Sequence, residues 1–579
     1  MKLQKYTYSV LSLLVFFTLT NCQDLDYNEE TGNTKEDIFN DFARSKNFVS
    51  GIYNYLPTDF NSIDGAIRSA ASDDAEHVND VSDIQKFNEG SWSAVQQLDN
   101  VWGTMYNGIR AANVYLKESE GQKFEDLQYT NTYKNLIQQY KNYPFEVRFL
   151  RAYFYFELVK RYKSVPLITT VLTPEEAANV KQATFQEVVD FIVKECDDIT
   201  TDDPVNKIYK LPLNYTAFAG VNETGRATKG AALALKSRIL LYAASPLFNN
   251  NPVDITLWQK AALAAKQVID LGIYGLSPSY STVVNNLSLS PGSELIFERR
   301  EAASNAFERR NFPIGYEGGG TGTCPTQNLV DAYEMSNTGL PITDLASRYN
   351  PLQPYGFRDP RLRATVINNG TSWKSIPVET FFGGKNGLPI TNATKTGYYL
   401  KKYVIESINL DTKLGLVTTR EHNWTVFRYG EILLNYAEAM NEAYGPEVAP
   451  PGGGMTARQA VNLIRVRGGG MPRFPGPDNN ATPKILVPLG KDAFRTKLRN
   501  ERRVELAFED HRFWDVRRWK IGDQTKNIYA MNITRNANLS LNYEVKLLEV
   551  RPFEERMNLY PIPQSEIFKN QNLIQNTGW

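Results

Sequence analysis

Cysteine and histidine are scarce in this chain of 579 residues, with three of each: Cys22, Cys196 and Cys324, and His77, His422 and His511. No CxxC, no paired Cys/His spacing and no HExxH occurs, which excludes a disulfide framework and a sequence-coded zinc site. An excess of one charge is also lacking. With 64 Lys and Arg against 64 Asp and Glu, no surplus positive charge exists to neutralise phosphates, so nucleic acid is not an expected partner and neutral ligands are favoured. The chain has no GxSxG elbow, P-loop or dinucleotide fingerprint, and the chemistries those motifs serve drop out with them. No cofactor and no metal are expected.

What remains is ordinary globular composition, 42% hydrophobic and 22% charged, on a chain long enough for a large buried core. The apolar run from Val10 to Leu19, behind Lys2 and Lys5, is shorter than the ~20 residues of a membrane span and reads as a signal peptide. It ends in LTNC, which resembles the lipobox of bacterial lipoproteins, with Asn21 where Gly, Ala or Ser is usual. On that resemblance Cys22 is the lipidation site. Asp24, Asp26, Glu29 and Glu30 follow, similar to the acidic export tags of surface lipoproteins in Bacteroidetes-type bacteria.

Helical patterns dominate the rest. Phe145 to Tyr162 is apolar on almost every face, with Arg148, Arg151, Glu157 and Lys160 interspersed, the pattern of a helix packed between neighbours and stopped by Pro166. RATKGAALALKSRILLYAASPLF offers Thr228 as N-cap, an Ala/Leu-rich run that permits close helix approach, and Pro246 as stop. ILLYAASPLFNN from Ile239 and ILLNYAEAMNEA from Ile432 look alike. Each precedes a second alanine-bearing helix, near Trp258 to Leu271 and Thr456 to Arg467, a helix-turn-helix unit that resembles a degenerate tetratricopeptide pattern. Between these units, roughly residues 281 to 420, the text turns irregular: ELIFER and GYYLKKYVI have strand character, and Gly, Asn, Pro and Thr mark loops. Loops on a rigid scaffold are where recognition usually sits.

Several long motifs occur in order: FLRAYFYFELVKRYKSVPLI, GRATKGAALALKSRILLYAASPLFN, RDPRLRATV, WTVFRYGEILLNYAEAMNEAYGP, NLIRVRGG, LRNERRVELAFEDHRFWDVRRWK and LYPIPQSEIFKNQNLIQNTGW. Together they resemble the SusD/RagB family of outer-membrane nutrient-binding lipoproteins, essentially end to end. The resemblance implies a mainly α SusD-like fold, with four tetratricopeptide-like helix pairs as scaffold and a loop-rich region with short strands. It also implies a leader over 1–21, an N-terminal region with helical repeats over 22–240, and a C-terminal region over 241–579 that includes the loop-rich ligand face. The protein is then lipid-anchored at the outer-membrane surface. It captures an oligosaccharide and delivers it to a SusC-type TonB-dependent transporter. Capture of an oligopeptide, as in the RagB-like branch, is the alternative within the family. A surface glycan-cleaving enzyme and a helical-repeat assembly protein without a small ligand are the alternatives outside it.

Catalysis is best represented by Glu501, Glu505 and Glu509, which repeat every four residues along one helical face. The arginines around them, Arg499, Arg502, Arg503, Arg512, Arg517 and Arg518, favour structural ion pairs instead, and no catalytic residue is assigned. GYEGGGTG reads as a loop rather than a phosphate cradle. Aromatic residues make up 12% of the chain and suit the C–H-rich faces of sugars, with neighbouring Asp, Asn and Arg taking the hydroxyls. Trp92 and Trp102 follow the polar cluster ASDDAEHVND, so Asp73 and Asp74, with Glu76 beside them, are candidate ligand residues next to a stacking ring. Tyr316, Cys324 and Trp373, in or near the glycine-rich loops, complete the candidate set.

Overall fold

The computed structural model describes residues 34–579 apart from 125–126, 206–207, 216–222, 224, 252–253, 286–292, 414, 468–469 and 475–488. The apolar leader, Cys22 and the acidic stretch lie outside the described residues. Ten helices build the scaffold: α1 (Phe42–Tyr53), α2 (Trp102–Glu118), α3 (Tyr133–Tyr162), α4 (Phe185–Thr200), α5 (Lys229–Ala244), α6 (Thr256–Asp270), α7 (Tyr429–Tyr444), α8 (Ala457–Arg465), α9 (Lys491–Glu505) and α10 (Arg512–Arg518). From α2 onward each helix packs on the next as far as α8, and α9 lies against α7. Seven successive helices, α2 to α8, therefore stack side by side with α9 packed against α7, and the fold is mainly α as expected.

Local sequence explains the stack. Thr228 caps α5 by accepting from the Ala231 N–H, and the helix stops just before Pro246. Ala231, Ala232 and Ala234 on α5 and Ala261, Ala262, Ala264 and Ala265 on α6 are all buried, and the two helices pack together, where small side chains let two axes approach. α3 is buried at every position from Phe149 to Tyr162, which forces its charged residues to find partners inside. Glu157 accepts from Lys160 Nζ at 2.8 Å and from Arg161 Nη1 at 2.6 Å, so burial there leaves no orphaned charge. The helix ends at Tyr162, earlier than Pro166 alone dictates, because Lys163 takes a left-handed conformation with φ +64°.

Strands are short and every sheet among the described residues is two-stranded. Those that matter here are β1 (Ala75–His77), β2 (Leu295–Ser304), β3 (Thr323–Pro325), β4 (Tyr399–Leu400), β5 (Arg420–Arg428), β6 (Asn527–Arg535) and β7 (Leu541–Val550). β2 pairs with β5, β1 with β3, and β6 with β7, all antiparallel. ELIFER forms the start of β2, whereas GYYLKKYVI contributes only the two-residue β4. α6 and α7 pack together although residues 271–428 separate them in sequence. The irregular middle is thus an insertion between two neighbouring helices, carried on the stack. A second, smaller core of Phe312, Ile367, Trp373, Val378, Tyr399, Ile408 and Leu410 holds the insertion together.

Candidate functional site

The loops of the insertion meet loops of the N-terminal region at one place, because β1 pairs with β3 in the register Ala75 to Pro325, Glu76 to Cys324 and His77 to Thr323. This joins the segments around residues 57–66 and 78–84 to the glycine-rich turn 313–322. Asn311 Nδ2 donates to Asn61 Oδ1 at 3.1 Å, while its own Oδ1 accepts from the Thr323 N–H at 3.1 Å. Ser82 Oγ donates to the Asp64 carbonyl, and the Asp83 N–H to Asp64 Oδ2. From the far side, Thr321 Oγ1 donates to the Asn392 carbonyl and Asn386 Nδ2 to the Ile314 carbonyl, both at 2.6 Å. Four loops are held edge to edge as one face.

Glycine is required in the central turn by close approach. A Cβ at Gly319 would lie 2.4 Å from the Pro313 carbonyl oxygen, and one at Gly320 2.6 Å from that of Arg309. The run folds back on the short helix Ala306–Asn311 and is a loop, as its sequence suggests. Thr321 sits beside it at φ +68°, a costly conformation for a β-branched residue. Such strain persists only where surrounding contacts over-determine it, and it concentrates at functional sites.

The face presents mixed chemistry. Asp80 and Lys395 form an exposed ion pair across it, Arg309, Arg310 and Glu317 are exposed, and Val81 is 87% exposed. Tyr316 is half-buried, its OH donating to the Ile376 carbonyl at 2.9 Å while its ring rests on the small core that contains Trp373. Burial and the nearby Glu406 and Glu379 carboxylates push its hydroxyl up to about 12, so it stays a neutral donor. Below the face, burial together with Arg310 and Lys395 lowers His77 to about 4. Uncharged at neutral pH, it leaves the local charge to the surface residues.

The remaining sequence candidates form the layer beneath. Asp73 and Asp74 are buried: Arg512 donates to both oxygens of Asp73 at 2.8 Å, and Arg503 Nε to Asp74 Oδ1 at 2.6 Å. Burial would raise both carboxyls, but Arg503 and Arg512 hold Asp73 at about 2; Asp74, sharing Arg503 with it, stays above the usual carboxylate value. Trp92 is 2% exposed, with Phe87, Tyr560 and Trp579 around its ring. Cys324 is buried in β3, and Trp373 is buried in the small core. These positions give Asp73, Asp74, Trp92, Cys324 and Trp373 no open surface for a sugar in this conformation, which corrects the expectation of direct contact. Only Tyr316 reaches the loop face. The face residues absent from the sequence reading, Asp64, Asp80, Arg309, Arg310 and Lys395, are drawn from distant segments, and no local spacing announces them.

Two of the larger cavities among the described residues lie elsewhere. Trp102, buried at the start of α2, forms part of the wall of one of about 580 Å³, together with Tyr106, Asn107, Arg110, Glu566 and Lys569. The other borders Tyr280, Arg361, Lys402, Arg465 and Arg467, over the three glutamates that the sequence offers for catalysis. Glu501 accepts from Arg465 at 2.6 Å, Glu505 from Arg361 at 2.9 Å and from Arg428 at 2.8 Å, and Glu509 from Lys402 and Arg428 at 2.6 Å. Ion pairing is therefore their role, with partners other than those adjacent in sequence: Arg502 goes to Asp515 and Arg518 to Glu438. Burial favours the protonated form, yet the cations outweigh it and hold all three carboxyls below the ordinary value. A general acid needs the opposite shift. Among the described residues no group of three His, Cys, Asp or Glu could hold a metal ion, and no helix is long and apolar enough to cross a membrane.

Comparison with known proteins places this geometry. Residues 293–579 match the family model described as the SusD family, and residues 28–241 match one described as starch-binding, associating with outer membrane. SusD-like protein P25 of Formosa agariphila is 22% identical over 83% of this chain and 78% of that protein. The match to SusD-like protein P2 of the same organism, at 29% identity, spans 27% of this chain and only 25% of that protein. Among solved structures, a SusD-like protein from Bacteroides fragilis superposes with a TM-score of 0.74 at 27% identity, covering 95% of this chain and 99% of that one. A SusD-like carbohydrate-binding protein from the same species gives 0.70 at 23% identity, covering 93% and 100%. A surface glycan-binding protein from Bacteroides fluxus gives 0.60 at 20%, covering 93% and 99%.

Proposed function

This chain belongs to the SusD family, and from that premise we propose that it captures an oligosaccharide on the loop face around Tyr316 and passes it to a SusC-type TonB-dependent transporter. The observation that carries this reading is the convergence of four loops, locked by side-chain hydrogen bonds, on a surface that carries the half-buried Tyr316 near Glu379 and Glu406, the Asp80–Lys395 ion pair, and the exposed Arg309 and Arg310. A sugar uses such a surface without any charge of its own: Tyr316 offers a ring face, while Asp64, Asp80, Arg309 and Arg310 meet hydroxyls. Relatives described as carbohydrate-binding and surface glycan-binding support the same ligand class. The shape, an open face rather than an enclosed pocket, fits an extended chain of sugars. No hydrolysis is assigned to it.

Anchoring follows from the sequence. Cleavage before Cys22 and lipidation there tether the protein to the outer membrane, where a multiply acylated cysteine holds stably. Cys22→Ala is expected to shift the protein from the membrane to the soluble fraction; continued fatty-acid labelling of that variant defeats the assignment.

The direct test is a glycan array followed by calorimetry on the ligand found. Tyr316→Ala and the Arg309→Ala/Arg310→Ala double variant are expected to weaken binding by about tenfold or more, roughly 1.4 kcal/mol. Arg110→Ala, at the cavity walled by Trp102, is expected to leave binding intact. The reverse pattern moves the site to that cavity, whose aromatic wall and polar Asn107 make it the second reading. Binding of a protein digest in place of any glycan assigns oligopeptide capture, and released sugar assigns an enzyme.

A further inference from the structure

The β6–β7 hairpin has two edges that are treated differently. The outer edge of β6 is covered by the body of the protein. The Tyr529 N–H donates to Asn328 Oδ1, Asn328 Nδ2 donates to the Asn527 carbonyl, the Met531 N–H donates to the Thr396 carbonyl, and the Ile533 carbonyl accepts from the Phe382 N–H, all at 2.8–2.9 Å. These bonds fix the parity of the ladder. Odd-numbered residues of β6 point their backbone groups away from β7, so Ala530 and Asn532 face it, opposite Lys546 and Glu544. On β7 the outward groups therefore belong to Tyr543, Val545 and Leu547. Among the described residues no backbone hydrogen bond reaches them from outside the hairpin.

This bare edge is also apolar. Val545 is 50% and Leu547 53% exposed, although their cross-strand partners Met531 and Tyr529 are buried and half-buried. A long, exposed, partly apolar edge strand is a template for another strand, and proteins that keep such an edge free blunt it with charge, proline or a bulge. β7 has no proline, is regular from Leu541 to Leu547 with a bulge only beyond, at Leu548, and carries charge of both signs, Glu544 and Lys546, on either side of Val545 and 3.2 Å apart.

We propose that β7 is a self-association edge: it pairs antiparallel with β7 of a second copy of this chain, about a two-fold axis at Val545, and joins two hairpins into one continuous sheet. The charge pattern selects both the partner and the register. With Val545 opposite Val545 of the second copy, each Glu544 lies opposite a Lys546, at the non-hydrogen-bonded positions where side chains come closest. Neighbouring registers that keep the same faces aligned place Glu544 against Glu544 or Lys546 against Lys546, and like charges directly opposite destabilise. On the other face Tyr543 meets Leu547 of the second copy, so the apolar row of Met531 and Ile533 continues across the axis. The outward N–H and C=O groups of Tyr543, Val545 and Leu547 supply the ladder. The contact is a weak, concentration-dependent one, as expected for a single strand-to-strand interface.

The test is sedimentation of the whole chain over a concentration series, with four proteins: wild type, E544K, K546E and E544K/K546E. The wild type is expected to reach a dimer, each single variant to weaken dimerisation by about tenfold or more, and the double variant to return to near the wild-type constant, because it restores opposite charges across the axis. Both side chains are exposed, and melting curves confirm that each variant folds. As an independent reading, V545C treated with diamide is expected to form a disulfide-linked dimer, since a hydrogen-bonded antiparallel pair sets its Cα atoms about 5.5 Å apart, within disulfide reach. Cys196 and Cys324 are buried, and V545C is made in a Cys22→Ala background, so that no other accessible thiol competes. A monomer at every concentration, a dimer indifferent to the single changes, or a double variant as weak as the singles overturns the proposal.

Discussion

Trp92 shows how a ring that looks like a binding residue in sequence is spent on packing. Its centroid lies 4.4 Å from that of Trp579, 4.9 Å from Phe87 and 5.2 Å from Tyr560, so residues from both ends of the chain close on it. Trp579 in turn donates its indole N–H to the Arg556 and Leu559 carbonyls. Trp92→Ala is expected to open a cavity here and to cost about 3–5 kcal/mol of stability, as for other large aromatic truncations. Denaturant titration measures the loss, and calorimetry below the melting transition is expected to show glycan affinity unchanged. A stable variant that no longer binds returns Trp92 to the ligand. Asp73 belongs to the same layer. Its folded value, about 2 against an ordinary 3.8, means that its contribution is present above the ordinary value and is lost as pH falls through the folded one.

At the scale of elements, the helices were legible and the face was not. Thr228 as a cap, the alanine runs and the two similar ILL segments specify α5 to α8 locally, because capping and helical periodicity act within a few residues. β1 and β3 are three residues each, and their register depends on contacts between remote segments, which no window of sequence contains. The same applies to Glu505, whose cationic partners Arg361, Arg428 and Arg467 come from elements other than its own helix. β1 supports a pH prediction. His77 titrates at about 4 when folded against an ordinary 6.5, so the fold favours the neutral ring. Its contribution is complete above about 6.5 and is lost as pH falls towards 4. His511, also held low by burial and by Arg502, acts in the same direction. His77→Gln is therefore expected to flatten the fall in melting temperature over this window in part. An unchanged profile would detach His77 from the acid sensitivity of the loop face.

For the whole molecule, the balance of 64 basic and 64 acidic residues supports a further prediction, because it separates the ligand classes still in contention. Long-range attraction between a neutral protein and a neutral glycan is small, and the contacts proposed at Tyr316, Asp64 and Asp80 are short-range hydrogen bonds and ring packing. Added salt screens charge pairs and leaves such contacts largely intact, since the Debye length falls from ~10 Å at 0.1 M to ~3 Å at 1 M. Affinity for a neutral oligosaccharide is thus expected to change by less than about threefold across that range. A ligand bearing carboxylates or sulfates behaves otherwise. It would engage Arg309 and Arg310, both exposed, and screening would weaken it progressively, with Arg309→Ala/Arg310→Ala removing most of the salt dependence. Calorimetry at several sodium chloride concentrations distinguishes the two. A steep loss of affinity that survives the double variant would mean that the charged contacts lie elsewhere, and the loop face would no longer account for capture.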